Sequence, residues 1–375
     1  MTTAPPPDAP VGGPSTGELP TGDLLALTAA LIDVPSPSFA EDLLCGRIHD
    51  ELRRCDWLEV ERVGDNVVAR THLGRPRRLV LAGHTDTVPA NGNEVARIEG
   101  DRLWGVGAAD MKGGLAVMVE LARTVRDPVV DVTWVFYARE EVAADHSGLG
   151  ELFAQRPDLL VGDVALLGEP TSAAIEAGCQ GTLRLVVSLR GARAHTARPW
   201  MGRNAVHRLA GLLAALADHE GRRPVIDGLE FREATQAVAV SGGVAGNVVP
   251  DLAELTINHR FAPDRTVDQA VADVEAVLAP FLEDGDEVEV VDAAAAAWPA
   301  VGDPLVAALV ERRGLEVRAK LGWTDASRFA AAGIPAANYG PGDATIAHTA
   351  GEFVDRESLE SVHAGLSDLL TTPVP

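Results

Sequence analysis

Cysteine is scarce in this chain of 375 residues, and the three present, Cys45, Cys55 and Cys179, show no paired spacing. An odd count without such spacing argues against a disulfide framework or a zinc-finger site and leaves buried, reduced thiols. Long uncharged apolar runs are also missing, so no segment reads as a membrane span. The N-terminal stretch MTTAPPPDAPVGGPSTGELPTGD has neither the basic start nor the apolar centre of a secretory signal, and a cytoplasmic location is expected. Positive charge is in deficit. With 55 acidic against 32 basic residues, the formal charge of −23 repels nucleic-acid phosphates and anionic membrane surfaces alike, so no nucleic-acid or membrane partner is expected. A small-molecule substrate suits this balance better. No internal repeat is present.

What the chain does have is length and apolar content for two cores: 46% of residues are hydrophobic, and domains usually run to roughly 100–200 residues each. Residues 1–20, rich in Pro, Gly and Thr, read as a flexible tail. From Asp23 the pattern becomes an amphipathic helix (Leu24, Leu25, Leu27, Leu31, Ile32), followed by apolar β-type runs alternating with helical segments, which implies α/β architecture. A different texture, βαββαβ, fills residues 179–293 and reads as an inserted α/β sandwich. The main domain is then split into 21–178 and 294–375, with a mixed, largely parallel sheet flanked by helices.

Four β-type runs each stop at a polar residue: RRLVLAGH at His84, VDVTWVFYAREE at Glu140 and Glu141, GDVALLGE at Glu169, and IPAANYGPG shortly before His348. In open α/β sheets ligands bind beyond the carboxyl ends of parallel strands, so these runs nominate one rim. In GHTDTVP, Asp86 stands two residues after His84, where a carboxylate can reach the second ring nitrogen of a metal-binding imidazole; a plain hydrogen-bonded loop pair fits as well. Asp110, in WGVGAADMKGG, precedes a helical segment and also suits an N-cap. Nucleotide-binding patterns fail there: Asp110 replaces the third glycine of GxGxxG, and Lys112 lacks the P-loop context. Glu140 and Glu141 supply a metal ligand and a general base, or else an exposed acidic loop. Glu169 doubles as a turn-entry residue before Pro170, and His348 as an ordinary loop histidine. Taken together, nitrogen and carboxylate donors without cysteine suit hydrolytic zinc, with Co2+ or Mn2+ as substitutes.

In order and wording, GHTDTVP, GAADMKGG, AREE, GEPT and AHTAGE resemble the co-catalytic zinc hydrolase family of aminoacylases, glutamate carboxypeptidases, acetylornithine deacetylases and succinyl-diaminopimelate desuccinylases. The resemblance runs from about residue 22 to the C-terminus. It implies two zinc ions bridged by Asp110, with His84 and Glu169 on one and Glu141 and His348 on the other. It further implies Glu140 as general base and Asp86 as the carboxylate behind His84. The insertion resembles the family's lid and dimerisation domain, which implies a homodimer in which His195 of ARAHTARP reaches a neighbouring active site; by itself His195 suits a turn residue. Asn247 and Arg260 fall at positions of substrate contact. EAGCQGTLRL, TARPWMGRNAV and GWTDASRFAAAGIPAANYGPGD are most similar to the desuccinylase branch, implying an N-acyl amino-acid substrate. Gln180-Gly181-Thr182 departs from an arginine-bearing turn of better-known desuccinylases. Thr324, Asp325 and Ser327 are expected along the substrate pocket. Deacetylation, peptide cleavage and non-catalytic metal-dependent binding are the competing functions.

Overall fold

The computed structural model describes residues 18–374, so the first 17 residues of the expected tail lie outside the described part. Leu19 is buried against the main core, and the Pro20 carbonyl accepts a hydrogen bond from Arg123, so packing begins before residue 21. The helix Leu24–Ile32 follows, its first turn capped by the Asp23 carboxylate, which accepts from the N–H groups of Leu25 and Ala26.

An eight-stranded sheet organises the main body, in the order Glu59–Val63, Asn66–Arg70, Asp131–Tyr137, Arg78–His84, Val164–Leu167, Ala336–Asn338, Ile175–Ala177, Val317–Ala319. The central strands Asp131–Tyr137, Arg78–His84, Val164–Leu167 and Ala336–Asn338 run parallel, as do the edge pair Ile175–Ala177 and Val317–Ala319, and the other pairings are antiparallel. They are buried almost throughout, which is why they read as continuous apolar runs rather than alternating ones. Helices Leu24–Ile32, Asp42–Leu52, Gly113–Thr124 and Arg356–Thr371 pack through the larger core. Leu149, Leu152, Ala326 and Phe329 belong to a second core on the opposite face.

A separate antiparallel sheet has the order Ala234–Gly242, Leu252–Phe261, Gly181–Arg190, Glu287–Ala294. Leu183, Leu185, Val187 and Leu189 alternate onto the face covered by helices Ala205–Asp218 and Val267–Leu278. A short hairpin, Val225–Ile226 with Leu229–Glu230, interrupts the expected βαββαβ order. The two connections to the main body are tied together: Cys179 and Ala297 exchange both main-chain hydrogen bonds, at 3.1 and 3.0 Å. Gly178 makes this junction possible, because its φ is +64° and a Cβ there would meet the Ala297 carbonyl oxygen at 2.4 Å.

Candidate active site

Beyond its C-terminal end, the strand Arg78–His84 delivers a buried imidazole to the rim. His84 Nδ1 donates to the main-chain oxygen of Asp86 at 3.0 Å, and the Asp86 carboxylate lies 3.5 Å from the same nitrogen. Nε2 is therefore turned toward the rim, where it sits 3.0 Å from Asp110 Oδ1.

Asp110 is no N-cap. The helix Gly113–Thr124 starts after it without a side-chain cap, and Asp110 itself has extended-type φ and ψ of −121° and 92°. Its N–H and that of Ala109 both donate to Glu352 Oε1, at 3.0 and 2.9 Å, which leaves the carboxylate free to face two histidines. Oδ1 faces His84, and His348 Nε2 lies 3.5 Å from Oδ2. Gly114 lets this segment approach the rim, since a Cβ there would meet the Gly168 carbonyl oxygen at 2.2 Å.

Glu140 and Glu141 follow the strand Asp131–Tyr137 through a turn in which Arg139 has a φ of +62°. That left-handed residue breaks strand alternation. The turn is clamped by Asp86, whose Oδ1 accepts the Glu140 N–H at 2.9 Å and whose Oδ2 accepts the Glu141 N–H at 3.1 Å and the Ser38 hydroxyl at 2.7 Å. Glu141 Oε1 lies 2.9 Å from His348 Nε2. Donor atoms of His84, Asp110 and Glu141 all fall within 4.8 Å of one another.

The charges at the rim are mutually dependent. Burial disfavours a charged His84, yet contact with Asp110 and Asp86 holds its pKa well above the usual imidazole value. Hydrogen bonds from its ring to the Asp110 and Glu141 carboxylates raise His348 to about 10. Burial also works against an ionised Asp110 and Asp86, but His348 and His84 hold Asp110 far below the ordinary carboxylate range, and His84 with the Glu140 N–H holds Asp86 at about 2. Glu169 differs: burial, reinforced by the charge of Asp110, raises it to about 7, and its Oε1 is buried without a hydrogen-bond partner. Glu140 is raised well above its ordinary value by burial and by the negative neighbours Glu169, Asp325 and Glu141, against the pull of His84.

This donor set fits metal. Imidazole and carboxylate atoms converge, and Glu169 Oε1 is buried without a hydrogen-bond partner. Cys45, Cys55 and Cys179 are free and buried and stand outside the donor set, as the sequence implied.

A cleft of about 760 Å3 opens beside the donors. Glu140, Glu141, Trp323, Asp325 and Arg328 form one side, and Thr182, Arg184 and Asp292 of the inserted sheet the other. Asp325 lines it, whereas Thr324 and Ser327 are engaged elsewhere, with Asn338 Oδ1 and the Ala295 carbonyl. Gln180 is also turned away, donating to the Arg232 carbonyl at 2.7 Å. His195 and Asn247 are exposed and adjacent: the Thr196 N–H donates to the Asn247 carbonyl at 3.1 Å, and His195 Nδ1 accepts from the Ala197 N–H. Neither side chain is among the cleft residues. His259 is buried against Thr235, and Arg260 is half-buried on the opposite face of its strand. Sequence reasoning missed Glu352 and Ser38, although Glu352 closes the AHTAGE motif; it also missed Arg184.

A family model described as Peptidase family M20/M25/M40 matches residues 80–372. The chain belongs to peptidase family M20/M25/M40. Members of this family are metal-dependent hydrolases, in accord with the donor cluster at the rim. A Mycobacterium tuberculosis relative, provisionally named succinyl-diaminopimelate desuccinylase DapE, is 52% identical over 89% of this chain and 94% of its own. The succinyl-diaminopimelate desuccinylase of Corynebacterium glutamicum is 43% identical over 93% of this chain and 96% of its own. Among solved structures, a Bacillus subtilis protein described as a dinuclear metal binding M20 peptidase has a TM-score of 0.66 at 17% identity, covering 92% of this chain and 96% of that one. At that identity the likeness is one of fold. No helix among the described residues is long and apolar enough to cross a membrane.

Proposed function

We propose that this M20 hydrolase cleaves the amide of N-succinyl-LL-2,6-diaminopimelate, giving succinate and LL-2,6-diaminopimelate, a step of diaminopimelate and lysine synthesis. The observation that carries the substrate is the 52% and 43% identity, along nearly the whole chain, to relatives bearing the desuccinylase name. Its chemistry is supported by the donor set beside Glu140.

Two zinc ions per subunit, replaceable by Co2+ or Mn2+, are the proposed cofactors. His84 and Glu169 would hold one, Glu141 and His348 the other, and Asp110 both; the approach of the two histidines to different Asp110 oxygens supports this division. When bound, such metals supply Lewis acidity at the amide carbonyl and lower the pKa of water toward neutrality.

Glu140 does the proton work. Its carboxylate takes one proton from the attacking water and returns it to the amide nitrogen as the C–N bond breaks and succinate and a free amine separate. Burial and acidic neighbours raise its proton affinity, which suits a group that accepts a proton and then gives it up near neutral pH. Asp86 orients both partners, fixing the His84 ring from behind and the Glu140 main chain from below.

A homodimer is part of the same proposal. His195 and Asn247 lie outside the cleft of their own chain, so a second copy is the natural recipient of His195, where its imidazole would stabilise the developing oxyanion. The edge strand Ala234–Gly242, which exposes Val238 and Val240, supports pairing between copies. Arg260 would meet a substrate carboxylate. Incubating metal-loaded protein with N-succinyl-LL-diaminopimelate and measuring succinate release tests the function; a fully loaded enzyme that releases none rules it out.

A further inference from the structure

Opposite Glu140 the cleft is closed by one face of the inserted sheet. Antiparallel register sets Thr182 against both Arg260 and Ala294, and Arg184 against both Asn258 and Asp292, so these side chains share that face. The other face is the one covered by helices. Thr182, Arg184 and Asp292 line the cleft together with Glu140 and Glu141. Arg184 and Arg260 are thus diagonal neighbours, which on a sheet stand roughly 7–8 Å apart.

Neither arginine has a carboxylate within 4.0 Å among the described residues, and Asp292, opposite Arg184 in register, is beyond that distance. This is unusual in a chain with 55 acidic residues to 32 basic ones. Arg328, across the cleft, shows the ordinary condition: its Nε is 2.6 Å from Asp325 Oδ1. Burial and the charge of Arg184 both lower the proton affinity of Arg260. Two like charges share this face, Arg184 exposed and Arg260 half-buried, with Asp292 near but out of contact, an arrangement that favours an anion from outside. A guanidinium fork is best matched by a carboxylate, in bidentate geometry.

We propose that Arg184, acting with Arg260, is a specificity-determining residue that binds a substrate carboxylate remote from the scissile amide. The inference rests on the proposed function for the identity of the substrate. It explains how so acidic a protein holds a polyanion: Arg184 supplies positive charge on the cleft wall and Arg260 adds to it from the next strand of the same sheet face, while Gln180, in the turn before Arg184, is bonded to the Arg232 carbonyl. Two carboxylates qualify, that of the succinyl group and the far one of the diaminopimelate.

The test compares metal-loaded wild type with Arg184→Ala and Arg184→Lys on three substrates: N-succinyl-LL-diaminopimelate, its N-butyryl counterpart, and Nα-succinyl-L-lysine. Losing a charge-assisted contact lowers kcat/KM for the full substrate by about 10- to 100-fold, chiefly through KM, with partial recovery in the lysine variant. The loss shrinks on the butyryl substrate if Arg184 holds the succinyl carboxylate, and on succinyl-lysine if it holds the far one. An equal loss on all three substrates, or none, overturns the proposal. Succinate and LL-diaminopimelate binding by calorimetry separates this inference from the function on which it rests. A wild type that turns over nothing refutes the desuccinylase reading alone, whereas unchanged binding of both compounds in Arg184→Ala refutes the carboxylate contact. Arg184 is exposed, so an unchanged melting temperature is expected for both variants.

Discussion

The Asp86 carboxylate accepts the main-chain N–H of Glu140 at 2.9 Å, tying the residue that stands behind His84 to the residue that faces the cleft. One residue thereby sets the position of the proposed metal donor His84 and of the proposed proton carrier Glu140 on neighbouring strands. Replacing Asp86 with Ala removes acceptors for the N–H groups of Glu140 and Glu141, at a cost of about 1–3 kcal/mol for each group left unpaired. It also removes the carboxylate 3.5 Å from His84 Nδ1 while leaving the main-chain acceptor of residue 86, and metal affinity is expected to fall by roughly 10-fold. Thermal unfolding and metal titration of Asp86→Ala measure the two effects; a loss of stability with unchanged metal affinity would show that Asp86 serves the turn alone.

Glu140→Gln separates metal binding from proton transfer. Glu140 holds no metal in the proposed ligand set, so the variant is expected to retain metal while kcat falls by roughly 100- to 10,000-fold. Metal content and single-turnover rate, measured on the same sample, check this. A fully loaded variant within tenfold of wild type assigns the proton step elsewhere.

The metal-free protein has a characteristic pH response at His348. Its pKa is raised from 6.5 to about 10 by Asp110 and Glu141, so the folded chain holds a proton that the unfolded chain sheds above 6.5. This stabilising contribution is complete below pH 6.5 and is lost as pH rises through about 10. In metal-free samples, the difference in melting temperature between wild type and His348→Ala is accordingly largest near pH 6 and fades toward pH 10. Zinc addition at pH 8 releases this proton, detectable as a dependence of the binding heat on the buffer's ionisation enthalpy. A melting difference that does not vary with pH, or zinc binding without proton release, contradicts the contact.

Dimerisation is tested at the exposed edge strand. If the proposed dimer forms there, lysine in place of Val238 and Val240 yields a monomer by sedimentation, with metal content unchanged and activity nearly abolished for want of the proposed His195 contribution. A fully active monomer removes His195 from the mechanism.

The rim was legible because it obeys a topological rule. The runs ending near His84, Glu140 and Glu169 are parallel neighbours, and the strand Ala336–Asn338 joins them. Apolar content and the polar residue at each end were enough to place them. The contacts that make the rim function were not legible in the same way. The Asp86 clamp depends on the left-handed turn at Arg139, and the Glu352 support of Asp110 joins residues 242 positions apart. Neither leaves a periodic signal. Arg184 looked like one polar residue of an alternating strand, and only register with Arg260 and exposure to the cleft distinguish it. Tail composition likewise concealed Leu19, whose burial depends on a distant core.

The most direct measurement is a parallel assay of zinc-loaded and zinc-depleted protein on N-succinyl-LL-diaminopimelate and N-acetylornithine. Succinate release at a kcat/KM well above that for deacetylation, loss of activity on chelation and recovery on adding zinc back are the expected results. Preferential deacetylation, or hydrolysis that survives complete metal removal, would contradict the proposed function.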